Sequence, residues 1–200
     1  MIEKGKISHE PFIEILKTLE EAESLNLIDW NAMNIASVDK MNQPSSRMVL
    51  LKKISDDGLV FYTNYNSRKG KEIELNPKVA VNFWWRELKK QIRVEGFIEK
   101  ASEEDSDNYF NSRAYESRIG AWASKQSSEL INREELIKSL EKFKNKYQDQ
   151  NNVPRPKHWS GWNLKPTSIE FWLDGDNRIH ERLKYKLTAS NDWTKSLLSP

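Results

Sequence analysis

Apolar residues first recur at helical spacing. Phe12, Ile15, Leu16, Leu19 and Ala22 fall on one stripe over residues 11 to about 25, and Pro11 stands at the start, where a helix has no donor to lose. From residue 32 to about 101 the period shifts toward two. Arg47-Met-Val-Leu-Leu-Lys52 and Leu59-Val-Phe-Tyr-Thr63 are rich in strand formers, with the turn signal Asp56-Asp57-Gly58 between them. Val79, Val81, Phe83 and Trp85 alternate with other residues, and Ile92, Val94 and Ile98 alternate against Gln91, Arg93 and Glu95. A short polar helix is predicted over 67–75, stopped by Asn76-Pro77. Ser102-Glu-Glu-Asp105 reads as a capping box, and helical pattern continues to about residue 147 with a break at Ser124-Lys-Gln-Ser-Ser128. Residues 151–156 read as a loop. The segments 168–173 and 178–187 form a predicted hairpin around Asp174-Gly175-Asp176-Asn177.

Antiparallel strands interrupted by helices predict a mainly β, α+β chain: a small barrel or curled sheet with helices packed outside. No long helix separates the early strands, which argues against a doubly wound fold. Residues 1–200 are expected to form a single domain, with an N-terminal helix region over 1–30 and a C-terminal hairpin region over 165–200.

Composition narrows the function classes. Eight Trp in 200 residues argue against disorder despite a charged fraction of 31%. A net charge of +2 gives no reason to expect nucleic acid or membrane partners, so any anion site must come from local clustering. The absence of Cys excludes disulfides, thiolate metal sites and Cys nucleophiles. His9, His158 and His180 lie too far apart for metal-ligand spacing, so no metal is expected. No apolar run reaches membrane-spanning length and no signal-peptide core is present, so a cytoplasmic location is expected. Dinucleotide-binding, P-loop and nucleophile-elbow glycine patterns are all missing.

Local cation clusters carry the chemistry. Ser67-Arg68-Lys69 stands where a strand hands over to a helix. Cations in a first turn oppose the helix dipole, which favours an anion at that end, although solvated side chains would cost only a few tenths of a kcal/mol. Tyr109, Arg113 and Ser117 are spaced i, i+4, i+8. On an unbroken helix they share a stripe roughly 80° wide, three donors suited to a phosphate or simply a polar face. Arg178, His180 and Arg182 alternate along a predicted strand and so project from one face, where an anion or a flat ring would compensate them. Arg47 and Lys52 have odd separation and point to opposite faces of a regular strand. Either a bulge intervenes or a site forms where two subunits meet.

In order along the chain, Arg47-Met-Val-Leu-Leu-Lys52, Phe61-Tyr-Thr-Asn64, Ser67-Arg-Lys69, Gln91, Tyr109-Phe-x-Ser-Arg113, Ile119-Gly-Ala-Trp122, Ser124-Lys-Gln-Ser-Ser128, Ile169-Glu-Phe-Trp172 and Arg178-Ile-His-x-Arg182 resemble the pyridoxine/pyridoxamine 5'-phosphate oxidase family. The resemblance spans roughly residues 30–200. It implies a split β-barrel binding flavin mononucleotide (FMN) at a homodimer interface. It also implies oxidation of pyridoxine or pyridoxamine 5'-phosphate to pyridoxal 5'-phosphate, with O2 reoxidising the flavin to give hydrogen peroxide. Carried over by motif, Arg47, Met48, Val49, Leu50, Leu51, Lys52, Tyr62, Thr63, Arg68, Lys69, Gln91, Gln126, Ser127, Trp172 and Arg182 surround the flavin. Lys52, Tyr109, Arg113 and Ser117 hold the substrate phosphate, and Arg178, Ile179 and His180 face the substrate ring. The chain departs from the family pattern in having no Arg before Arg47 and no Tyr before Tyr62, where members often carry an arginine-bearing lid. It also has Leu197 where Arg is common and Ile179 where Leu is usual. Two other readings stay open: a split-barrel flavoprotein with a different substrate, and a non-catalytic carrier of flavin or pyridoxal phosphate.

Overall fold

The computed structural model describes residues 2–200. Helix α1 (Glu10–Ser24) follows a two-residue strand β1 (Glu3–Lys4) and buries Phe12, Ile15, Leu19 and Ala22, the stripe read from the sequence. Strands β2 (Ala32–Val38), β3 (Pro44–Leu50), β4 (Lys53–Ser55) and β5 (Gly58–Asn64) come next. Helix α2 (Arg68–Leu75) is capped by Ser67, whose hydroxyl accepts from the Gly70 amide. After β6 (Lys78–Trp85) and β7 (Lys90–Lys100), helix α3 (Glu103–Ser112) starts at Ser102, whose hydroxyl accepts from Asp105 N. Helices α4 (Tyr115–Ala123) and α5 (Arg133–Lys146) precede β8 (Trp159–Leu173), a 3-10 turn (Asp176–Arg178), β9 (Glu181–Leu187) and β10 (Trp193–Leu197).

The strands join in one curled sheet, ordered β1-β4-β5-β8-β7-β6-β2-β3, with β9 on β8 and β10 on β9. All pairings are antiparallel except the short β1–β4 pair. Strand β8 is the spine. From Trp162 to Leu173 it lies along β7, while its other edge takes β5 in the first half and β9 in the second. The register shifts at Glu95/Gly96, opposite Pro166, which a bulge can accommodate. Glycine is required there, because a Cβ on Gly96 would lie 2.1 Å from the Lys165 carbonyl oxygen. The barrel encloses Met33, Ile35, Phe61, Phe83, Val94 and Leu164, closed at one side by α1. At about 1.5–3 kcal/mol for each large side chain removed from water, this interior dominates the stability. A second cluster of Phe110, Ile119, Val153 and Trp159 seats the α3–α5 helices against the sheet.

The structure corrects three expectations of local geometry. The stretch 47–52 is not one strand: β3 ends at Leu50, Leu51 is fully buried, and the Lys52 amide bonds Val60 O across β5. The helix expected to carry Tyr109, Arg113 and Ser117 is broken. Arg113 (φ −77, ψ 149) and Ala114 (φ −53, ψ 145) are extended, so the three residues lie on two helices meeting at an angle. Arg178 and His180 also precede β9 rather than alternating along it, because Asn177 (φ 55) and Arg178 (φ 65) take left-handed turn conformations.

Candidate active site

Strand β5 places Thr63 inward beside the start of α2, and the Ser67 cap brings Lys69 back over it. Lys69 is only 7% exposed, and its Nζ donates to Thr63 Oγ1 and Gln126 Oε1, both at 3.0 Å. Neither partner is a carboxylate. Burial therefore pushes the ammonium down to about 8, with the Arg47 charge adding to the effect. A buried cation answered by two hydroxyls (Ser67 Oγ also accepts, at 3.4 Å) and an amide, with no carboxylate, has the chemistry to take an anion.

Arg113, fixed at the break between α3 and α4, lies 4.5 Å over the Trp159 ring. Its Nη1 is buried without a partner, and burial lowers its pKa. Tyr62 and Tyr109 stack at 4.2 Å, and Lys52 Nζ sits 5.8 Å from the centre of the Tyr109 ring. Burial and the Asp105 carboxylate push the Tyr62 phenol up to about 12, so it stays protonated. Although the helical stripe is broken, Lys52, Tyr109, Arg113 and Ser117 line one cleft of about 510 Å3 together with Met48, Val49, Leu50, Tyr62, Thr63, Lys69 and Gln126. The fold thus brings together two cation sets, one around Lys69 and one around Arg113.

The remaining residues divide. Gln91, Trp172, His180 and Arg182 line a second cleft of about 800 Å3, which shares no lining residue with the first. His180 lies 4.5 Å from the Trp172 ring, and its Nδ1 sits 3.1 Å from Asp174 Oδ1. Arg182 Nε donates to the buried Glu170 at 2.9 Å, and Arg93 binds the other oxygen of that carboxylate. Burial opposes ionisation of Glu170, but the two guanidiniums outweigh it and hold the carboxyl below its usual range. Arg47 and Arg68 lie outside both clefts, gathered on the Glu72 carboxylate. Leu51 belongs to the core, Ser127 lines a separate surface hollow beside Gln126, and Arg178 and Ile179 stand exposed on the turn.

Sequence reasoning missed Trp159, Glu72 and Glu170. Of these only Glu72 left a local trace, four residues after Arg68 on the same helix. Trp159 and Glu170 reach their arginines through strand pairing and helix packing, as in the Arg93–Glu170 register of β7 and β8.

Residues 19–147 match the family model described as pyridoxamine 5'-phosphate oxidase, and residues 159–200 match the model of a pyridoxine 5'-phosphate oxidase C-terminal dimerisation region. The chain is 57% identical to a pyridoxine/pyridoxamine 5'-phosphate oxidase of Pelagibacter ubique, over 91% of this chain and 88% of that protein. It is 46% identical to the corresponding protein of a Nostoc species, over 98% and 91%. Among solved structures, PhzG of Burkholderia lata, crystallised with tetrahydrophenazine-1-carboxylic acid, superposes with a TM-score of 0.87 at 28% identity, covering 98% of this chain and all of that one. A pyridoxamine 5'-phosphate oxidase-related, FMN-binding protein of Nostoc punctiforme shares the fold, with a TM-score of 0.77 at 15% identity over 97% of this chain. The curled sheet is therefore the split barrel of these proteins, and the chain belongs to the pyridoxamine 5'-phosphate oxidase family.

Proposed function

We propose that this chain binds FMN and oxidises pyridoxine 5'-phosphate or pyridoxamine 5'-phosphate to pyridoxal 5'-phosphate, with each site shared between two copies of the chain. The observation that carries the reading is the pairing of Lys69 and Arg113 in one cleft, a buried ammonium and a half-buried guanidinium whose Nη1 is buried without a partner, neither of them held by a carboxylate. Two phosphates, one on the cofactor and one on the substrate, satisfy that demand. Bound there, FMN would supply a two-electron acceptor for hydride from C4' of the substrate, with O2 as the final acceptor and hydrogen peroxide as product; the amine substrate would further need one water to hydrolyse the resulting imine, with loss of ammonia.

The protein's share of the work is positioning. Lys69, Thr63 and Gln126, with Ser127, Arg47 and Arg68 nearby, hold the cofactor phosphate. Met48, Val49, Leu50, Leu51 and Tyr62 border the ring system. Lys52, Tyr109, Arg113 and Ser117 hold the substrate phosphate and fix its far end relative to the cofactor. Gln91, Trp172 and Arg182 of the partner subunit complete the cofactor site. Arg178, Ile179 and His180 of the partner subunit cover the substrate ring. A partner is needed because these residues sit in or beside the second cleft, which is separate within one chain. The outward sheet face next to the first cleft carries Met48, Leu50 and Trp84 at 60%, 40% and 51% exposure, an apolar surface suited to a second copy. The name of the model matched by residues 159–200 supports the same arrangement. Among the described residues no helix is long and apolar enough to cross a membrane, and we place the enzyme in the cytoplasm.

The test is direct. Purified protein is expected to be yellow, to release FMN on denaturation, and to bleach when mixed anaerobically with either phosphorylated vitamer. Colourless protein that fails to bind added FMN overturns the reading. Flavin that stays oxidised with both vitamers moves the protein to another substrate of the same fold.

A further inference from the structure

Glu72 is the most heavily engaged carboxylate near the first cleft, yet it touches neither cleft. It is 4% exposed, on the inner face of α2. Its Oε2 accepts from Ser37 Oγ and Ser45 Oγ, each at 2.6 Å, and from Arg47 Nη2 at 3.1 Å. Its Oε1 accepts from Arg68 Nε at 2.7 Å. Arg47 is held further by Ser37 Oγ at 2.6 Å and by Ser45 Oγ. Burial opposes the charge on Glu72, but this ring of donors outweighs it and holds the carboxyl at about 2.

We infer that Glu72 is a positioning residue for the cofactor phosphate, presetting Arg47 and Arg68 on one buried carboxylate before the ligand arrives. This rests on the FMN reading above. A free arginine side chain loses rotamer freedom when it is ordered, and a guanidinium already anchored at one end has much of that cost removed. Arg68 is engaged only through Nε, which leaves its terminal Nη groups for another acceptor, and its side chain is 58% exposed. The charge also balances. Arg47, Arg68 and Lys69 less Glu72 leave two positive charges, against a phosphate monoester near −2 at neutral pH. A carboxylate beside a phosphate site would otherwise only repel the ligand. Its retention at this spot makes sense if the order it imposes outweighs that repulsion.

The two oxygens have different partners, so substitutions should act in steps. A glutamine keeps one acceptor. With that oxygen toward Ser37, Ser45 and Arg47, its amino group faces Arg68 Nε donor to donor and frees Arg68 alone. An alanine frees both arginines.

The experiment titrates the full-length apoprotein with FMN and with riboflavin, which lacks the phosphate, following flavin fluorescence. Glu72→Gln is expected to weaken FMN binding roughly tenfold and Glu72→Ala roughly a hundredfold, the scale of one and two charged hydrogen-bond arrangements. Riboflavin binding is expected to stay within about twofold in both variants. On an Arg68→Ala background, Glu72→Gln should cost nothing further, because its one effect is already spent. If the alanine variant fails to fold, the glutamine variant and this background comparison decide the matter. Parallel loss of riboflavin would make Glu72 a mere staple between α2 and the sheet and overturn the proposal. Unchanged or tighter FMN binding would overturn it too, leaving Glu72 as a simple counter-charge. Wild-type protein that binds neither flavin defeats the FMN reading itself, a result distinct from either.

Discussion

Replacing Arg113 by alanine separates ligand binding from folding more cleanly than any other change in the first cleft. The guanidinium is stacked 4.5 Å over Trp159 and keeps a buried Nη1 with no partner. If a substrate phosphate is that missing partner, truncation removes a charge-assisted, two-pronged contact. Hydrogen bonds to charged groups contribute about 1.5–3 kcal/mol each, so a loss near 3 kcal/mol is a conservative figure. At about 1.36 kcal/mol per tenfold, the apparent Michaelis constant for the phosphorylated vitamer should rise roughly 100-fold. Stability should barely move. The lost stacking costs about 1–2 kcal/mol, while removing an unsatisfied buried donor returns about 1–3 kcal/mol. The melting temperature of the flavin-loaded variant should therefore stay within about 4 °C of wild type. The assay is steady-state kinetics beside flavin content per chain and a thermal melt. Equal loss of flavin would mean that Arg113 serves the cofactor phosphate, and an unchanged Michaelis constant would remove it from the site altogether.

Two further perturbations probe the remaining groups. Lys69 in the free protein is held down to about 8 by burial and by Arg47. Binding an anion beside it raises that value again, so above pH 8 the ligand must bring a proton with it. FMN affinity should then fall by up to about tenfold per pH unit above 8, and Lys69→Met should flatten that slope; a slope that survives the substitution would show that another group titrates. Replacing Arg178 and His180 together by alanine should slow anaerobic flavin reduction by roughly tenfold or more while flavin stays bound, as expected for groups that orient the ring. A rate equal to wild type would take both out of the active site.

What was legible in the sequence follows from how local each signal is. Helix α1, the short helix beginning at Ser67, the Ser102 cap and the β6–β7 alternation all announce themselves within a few residues, and the structure has them where the pattern puts them. The first part of β8 was not legible. From Trp159 to Leu164 every residue is buried, because the strand is covered on both faces, and a strand buried on both faces has no period of two. The break at Arg113 carries no Gly or Pro, and the guanidinium it places over Trp159 meets a ring distant in sequence, so nothing local marks it. The turn through Asn177 and Arg178 hides inside an alternating Arg-x-His-x-Arg pattern that reads as a strand. The cation clusters themselves were visible as residue types. Their division into two clefts was not, since it depends on which strand lies beside which. The opposite-face reading of Arg47 and Lys52 assumes one regular strand, whereas β3 ends at Leu50; Arg47 goes to Glu72 under α2 while Lys52 enters the first cleft.

The claim on which the account rests is that one working site draws its first cleft from one copy and its second cleft from the other. Co-expression of two differently tagged variants, Arg113→Ala and Arg182→Ala, followed by purification of the mixed dimer, tests this in one measurement. Each variant damages a different cleft, so swapped halves place both lesions in one site and leave the other intact. Assayed with vitamer far below the raised Michaelis constant of the Arg113→Ala parent, where each parent alone is nearly inactive, the mixed dimer should then regain about half of the wild-type rate. Should both clefts of a site come from the same chain, every site would carry one lesion, and the mixed dimer would be as inactive as its parents.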